Sequence, residues 1–228
     1  SINTTYTSVN TTAGFSISKY VGTGSLATVG HGLNVAPAMI IIKNLDTTNG
    51  WEVYHQSLGN TKYMQLHTTS AEGTSATRWN DTSPTNSVFT VNTENGVNKS
   101  GSNIIAYCFA EKAGYSKFGS YVGNGNLDGS FIYTGFKPKF IITKRIDSAS
   151  AWTLWDNKRV GYNPKSYRIE PDKNNAEYTG VAVYADQLSN GFKIRTGDTD
   201  TNASGGTYIY MAIGQSLVGS NNVPCTAR

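Results

Sequence analysis

The sequence predicts an all-β protein built of two tandem, related β-sandwich units of a jelly-roll-like kind. Three observations carry this expectation. First, Gly, Ser, Thr and Asn are abundant around short aromatic and β-branched runs, while charged residues are only 15% of the 228-residue chain. That is the composition of short strands joined by polar turns. Second, no segment sustains a helical apolar period. Third, the chain matches itself. Fourteen Tyr, eight Phe and four Trp also supply the apolar area that disordered chains lack.

The self-match runs at an offset of 101 residues: Tyr20-Val21-Gly22-Thr23-Gly24 returns as Tyr121-Val122-Gly123-Asn124-Gly125. Pro37-Ala38-Met39-Ile40-Ile41-Ile42-Lys43 returns as Pro138-Lys139-Phe140-Ile141-Ile142-Thr143-Lys144. Asp46 matches Asp147, Trp51 matches Trp152, and Tyr54 falls opposite Trp155. Further on the offset grows slightly, so that 88–91 pairs with 191–194 and 101–111 with 205–215. Small gaps of this kind are what surface-loop insertions produce. A period near 100 residues is too long for a solenoid and fits one small sandwich per unit, or one half of a larger one.

Each unit opens with a Tyr-Val-Gly turn, and a Pro then precedes an apolar strand, as suits Pro at a strand's first residue. Strand candidates in the first unit are 38–43, 51–55, 63–67, 87–91 and 104–110. In the second they are 131–133, 140–144, 152–156, 167–170, 191–195 and 208–213, with at most a helical turn near 184–188.

Net charge is +4, and the positive charge is scattered. The densest stretch, 137–145, holds four Lys/Arg, some of which alternation along a strand would place in solvent. A nucleic-acid groove needs converging cations and stacking aromatics, so nucleic acid is not an expected partner. Cys108 lies in an apolar run and reads as a small buried hydrophobe, and Cys225 lies near the C-terminus. Two such cysteines make neither a disulfide framework nor a zinc spacing. Residues 1–16 lack the basic and apolar regions of a signal peptide, and no apolar run reaches membrane-helix length. The expectation is a soluble chain made in a cytoplasm, with no membrane insertion.

Catalysis requires titratable groups converging in a pocket. The charged pairs shared by the two copies, Asp46/Asp147 and Lys43/Lys144, flank one strand end and read as a solvated turn. His31, His55 and His67 fall in the first unit with no metal-ligand spacing. No nucleophile elbow, phosphate loop or Cys/His pairing is present, so the expectation is a protein that is not an enzyme. Asp198, Asp200 and Asn202 place oxygen ligands at alternate positions, like the start of a calcium loop. The pattern fails at Ala203 and Ile209, where Gly and Glu are needed, so a polar hairpin loop is favoured over calcium. Trp51 and Trp152 recur at equivalent strand positions and read as core. Trp79 has no counterpart in the second unit and is the candidate for an exposed binding contact.

The strings at 20–24 with 37–43, and at 119–125 with 131–145, resemble a duplicated β domain of unknown function found in marine tailed phages, including those of cyanobacteria. The junction Ala106-Tyr107-Cys108-Phe109-Ala110-Glu111 followed by Gly114-Tyr115-Ser116-Lys117-Phe118-Gly119 is similar to that domain too. So is the closing string Gly205-Gly206-Thr207-Tyr208-Ile209-Tyr210-Met211-Ala212. The resemblance covers about 14–215 and implies a virion protein such as a tail fibre or other appendage. It brings no catalytic or ligand residues with it.

The domain expectation is an N-terminal arm over 1–13, β units over 14–111 and 112–215, and a C-terminal tail over 216–228. Arm and tail would dock on neighbouring subunits. Expected partners are other virion proteins, further copies of the chain (a trimer suits an appendage) and a host surface glycan. Host attachment by a tail fibre is the leading functional expectation for this virion protein assembled in the host cytoplasm. A capsid head decoration or head fibre is the alternative. A polysaccharide-degrading enzyme would need paired carboxylates flanking a groove.

Overall fold

In the computed structural model, which describes residues 1–2, 4–159, 162–164, 167–179 and 184–214, every sheet pairing between named strands is antiparallel, and two units divide the chain. One comprises Ser1–His67 and Glu72–Glu111, the other Thr68–Ala71 and the residues from Lys112 on. The molecule is mostly β, with several antiparallel sheets.

The first unit runs β1 (Thr4–Asn10), β2 (Phe15–Val21), β3 (Ala27–Gly30), β4 (Met39–Asn44), β5 (Trp51–His55), β6 (Lys62–Gln65), β7 (Gly73–Thr74), α1 (Ala76–Trp79), β8 (Val88–Val91), α2 (Asn95–Asn98) and β9 (Asn103–Phe109). Seven strands form one sheet in the order β1-β2-β9-β4-β5-β6-β7, while β3 and β8 pair separately. Tyr20, Ile40, Ile42, Tyr54, Ile104 and Ala106 of the large sheet share one core with Val29, Phe89 and Val91 of the pair and with Trp79 and Val97 of the helices. Burial of such apolar area is the main favourable term holding the layers together.

Residues 1–13, expected as an arm, instead hold the edge strand β1, in register with β2 from Tyr6↔Lys19 to Asn10↔Phe15. Ile2 joins the core, and its N–H donates to Thr28 O at 2.8 Å. An arm made of alternating Thr, Ser and Val has β propensity, and an open sheet edge accepts it.

The second unit runs β10 (Ser116–Val122), β11 (Phe131–Tyr133), β12 (Pro138–Arg145), β13 (Trp152–Asp156), β14 (Ala185–Leu188), β15 (Gly191–Ile194), α3 (Thr199–Asn202) and β16 (Thr207–Gly214). A four-stranded sheet, β10-β16-β12-β13, and a three-stranded sheet, β11-β15-β14, share a core that includes Tyr121, Ile132, Ile141, Trp155, Phe192, Tyr208 and Tyr210. The helical turn expected near 184–188 is the strand β14. Its alternating burial, with Ala185 and Gln187 inward, is the period-two pattern of a half-buried strand. The strand expected over 167–170 amounts to isolated bridges, Leu154↔Ile169 and Arg168↔Tyr178. The tail, with Cys225, lies outside the described residues.

Some strand pairings in the two units involve residues that the sequence match sets against each other. Phe15 faces Phe109 across β2–β9, and Ser116 faces Ile213 across β10–β16. Ile40 faces Cys108 and Tyr54, and Ile141 faces Ala212 and Trp155. These registers follow the offsets of the sequence match. The shared aspartates now have a role, because Asp46 accepts from the N–H of Asn103 at 2.7 Å and Asp147 from that of Thr207 at 3.3 Å. Each carboxylate therefore fastens the start of its unit's last strand.

The Tyr-Val-Gly segment, expected as a turn that opens each unit, instead ends β2 and β10, and it is a docking seat for a short helix. Tyr20 Oη donates to Val97 O at 2.6 Å, and Tyr121 Oη to Thr201 O at 2.8 Å. The buried side chain of Asn98 accepts from Thr23 N and donates to Ser25 O. Asn202 does the same with Asn124 N and Asn126 O. Glycine is required because the chains nearly touch. A Cβ at Gly22 would lie 2.2 Å from Lys99 O, and one at Gly123 would lie 2.4 Å from Ala203 O. Gly123→Ala is therefore expected to destabilise the protein by about 1–3 kcal/mol through overpacking. A denaturation midpoint that did not move would show that the seat opens at no cost.

Candidate functional site: the outward face of a three-stranded sheet

Trp79, expected as an exposed contact, is 2% exposed. It ends α1 inside the first core, edge-on to Tyr54 at 6.0 Å, with Nε1 donating to Lys62 O at 3.1 Å. A polar neighbourhood in sequence hid it, because Ser75 caps a helical turn and the left-handed Asn80 ends it at once. The turn aims one indole inward between polar residues.

Asp198, Asp200 and Asn202, expected in a polar hairpin loop with calcium as the lesser reading, instead cap and build the short helix α3. Asp198 is the N-cap of α3 and accepts from Asp200 N at 2.8 Å. Asp200 Oδ1 accepts from Ser150 Oγ at 2.6 Å and Ala151 N at 3.2 Å. Asn202 is buried in the Tyr-Val-Gly seat. The neighbouring positive charge is a protein group, the Arg168 guanidinium, 3.8 Å from both carboxylates. An Asp two residues before another Asp is also an N-cap pattern, and that is what folds here.

The histidines are occupied locally. His31 Nδ1 accepts from Leu33 N, and Nε2 lies 3.2 Å from Thr85 O. Burial pushes its pKa down, which suits the neutral ring that this pair of contacts requires. His55 and His67 accept from the N–H groups of Ser57 and Trp51. Among the described residues no three His, Cys, Asp or Glu side chains are grouped to hold a metal, and no helix is long and apolar enough to cross a membrane. The Cys108 thiol is buried, and its pKa is pushed up to about 12, so it stays protonated and unreactive at neutral pH.

Lys144, expected in solvent, is 0% exposed. Its Nζ donates to Ser150 O at 2.7 Å and Thr69 O at 3.1 Å. Burial lowers its pKa to about 8, against the opposing pull of Asp172 and Asp200 and with a small further push from Arg145. The folded value lies below the unfolded one, so from about pH 8 to about 10.5 the unfolded chain holds the extra proton. Stability from this group therefore rises with pH across that window. Lys144→Met is expected to flatten the rise, read as the pH dependence of the denaturation midpoint for both proteins.

The outward face of β11-β15-β14 is built differently. Burial alternates along β11 so that Ile132 points into the core while Phe131 and Tyr133 are 46% and 64% exposed. Phe131 stands opposite Lys193 and Tyr133 opposite Gly191, with Asp186 and Leu188 beyond them on β14. Gly191 lets β15 lie close against β11, since a Cβ there would come 2.1 Å from Ile132 O and 3.1 Å from Phe131 Cε2. Next to the rings, Arg195 donates to Asp186 at 2.6 Å and to Asp128 at 2.9 Å. Lys193 Nζ lies 2.9 Å from the same Asp128 carboxylate. Hydrogen bonding from Lys193 and its charge hold the pKa of Asp128 below the usual range. Two acids and two bases thus form a charge-balanced row beside two exposed rings.

Among the described residues the first unit has no such face. The register places Thr28 opposite Thr90 and Gly30 opposite Val88, where the second unit has Phe131 opposite Lys193 and Tyr133 opposite Gly191. Phe131-Ile132-Tyr133 is apolar throughout, so hydropathy could not tell which residues face out. The sequence match, with an offset of 101 on both sides, sets Phe131 against Gly30 and Tyr133 against Gly32, so the relation to Thr28 and Gly30 is visible only in the strand registers.

A family model for a domain of unknown function, DUF7483, matches residues 1–216. The chain belongs to that family. No curated protein and no solved structure matches it. The DUF7483 match spans both units.

Proposed function

We propose that this DUF7483 protein is a non-catalytic surface protein of a tailed-phage particle, an appendage module that attaches to the host surface. The observation that carries the reading is the exposed pair Phe131 and Tyr133 on β11, where the comparable register positions of β3 in the first unit hold Thr28 and Gly30. Exposed aromatics set in a polar, charge-balanced surface are typical of recognition sites rather than of structural faces. The resemblance to marine tailed-phage domains gives the particle context, with other virion proteins and further copies of the chain as partners. A non-catalytic role suits the pairing of the face's carboxylates. Asp128 and Asp186 are both tied to Arg195, and Asp128 has a lowered rather than a raised pKa, the opposite of what a general acid in glycoside cleavage needs.

Immunogold electron microscopy of particles, with an antibody to this chain, tests the assignment. Label at tail tips or fibres supports attachment. Label spread over the head makes the chain a decoration protein, and particles without label remove the virion reading.

A further inference from the structure

We infer that the outward face of β11-β15-β14 binds a neutral glycan, with sugar rings lying on Phe131 and Tyr133 and hydroxyls bonded to the Asp128–Lys193–Arg195–Asp186 row. The inference rests on the attachment reading and names its ligand. Residues two apart on a strand lie about 6.6 Å apart, so Phe131 and Tyr133 present neighbouring rings to an extended ligand. A sugar offers such rings an apolar C–H face, and it offers hydroxyls, each both donor and acceptor, at its edge. The row supplies both kinds of partner, with carboxylates of Asp128 and Asp186 accepting and Lys193 and Arg195 donating.

Charge selects among occupants. The row holds two acids bound to two bases, so it offers no net positive charge to a nucleic acid or a sulfated polymer, both of which bind through uncompensated cations. A second copy of the chain is disfavoured by area. Two partly exposed rings, 46% and 64% accessible, are far from the ~800 Å² per partner of a standard interface. The pairing edge is also short, because β11 is only 3 residues long.

The whole chain is titrated calorimetrically with maltohexaose, cellohexaose, laminarihexaose and mannohexaose, and with heparin as the polyanion. At least one neutral hexasaccharide is expected to bind, with affinity unchanged at about 0.5 M salt, where exposed charges are screened. Phe131→Ala with Tyr133→Ala is expected to weaken that binding at least about tenfold, equivalent to about 1.4 kcal/mol. Tyr6→Ala, an exposed ring on the first unit at 64%, is the control and leaves it unchanged. All variants should melt near the parent, since none of these side chains is in a core. Binding of heparin alone, binding of no neutral sugar, or self-association lost in the double variant would each overturn the glycan assignment. Blocking of particle adsorption by the purified chain separates the two readings. Blocking that needs Phe131 and Tyr133 without any glycan binding keeps attachment and assigns a protein receptor, whereas no blocking at all removes attachment itself.

Discussion

Trp79→Ala should destabilise the first unit by about 3–5 kcal/mol, among the largest losses any single substitution here would cause. The indole is fully enclosed, packs edge-on against Tyr54 and donates to Lys62 O at 3.1 Å. Truncation removes those contacts, leaves a cavity that neighbouring strands cannot fill, and strips the Lys62 carbonyl of a donor. Chemical denaturation followed by far-ultraviolet dichroism reads the loss as a lower midpoint. The contrast with Phe131→Ala is part of the expectation, because that ring is exposed and its removal should change stability by less than about 0.5 kcal/mol. A Trp79→Ala protein as stable as the parent, with binding impaired, would reverse the roles assigned to these two aromatics.

Glu52→Ala is expected to cost a similar amount, about 3–5 kcal/mol, because it strands a buried cation. Arg78 Nε donates to Glu52 at 2.7 Å with both side chains almost fully covered. Gln65 donates to the other carboxylate oxygen at 2.9 Å. The guanidinium also lies 3.4 Å above the Tyr63 ring, while Glu94 is 3.7 Å away, too exposed and too distant to replace the lost partner. Pairing Glu52→Leu with Arg78→Met should recover much of the loss, since an apolar pair avoids the desolvation of two ions. A double-mutant cycle measures this directly. If the double variant were as unstable as the sum of the singles, the pair would not be acting as a unit. The second unit already does without this pair, because the position matched to Glu52 is Thr153, which faces Thr143.

Much of the fold was legible in the sequence because similar strings mark several strands twice. Where one string is ambiguous, the other helps, as with Met39–Asn44 and Pro138–Arg145. The strands that escaped notice carry misleading side chains. β2 turns Ser16, Ser18 and Tyr20 inward and leaves Phe15 and Ile17 half-covered on the other side, which inverts the usual hydropathy rule. Ser18 is tolerated inside because its hydroxyl donates to Gly30 O at 3.0 Å. β14 is short and carries Asp186 and Gln187, so its residues have no strand signature of their own. The candidate site was less legible for a related reason. Exposure of Phe131 and burial of Trp79 are both decided by partners distant in sequence, β15 in one case and Tyr54 with Lys62 in the other. Local polarity points the wrong way for each.

In each unit two strands far apart in sequence lie side by side, β2 with β9 in the first, where β1 adds at the edge, and β10 with β16 in the second. Gly14 O accepts from Ala110 N at 2.7 Å where β2 begins and β9 ends, and Tyr115 O accepts from Gly214 N at 2.7 Å at the matching point of the second unit. A unit closed in this way behaves as a cassette. It can be permuted, grafted into a host loop or exchanged for another copy with little strain at the splice, and its far-end loops and outer sheet are left free to diverge.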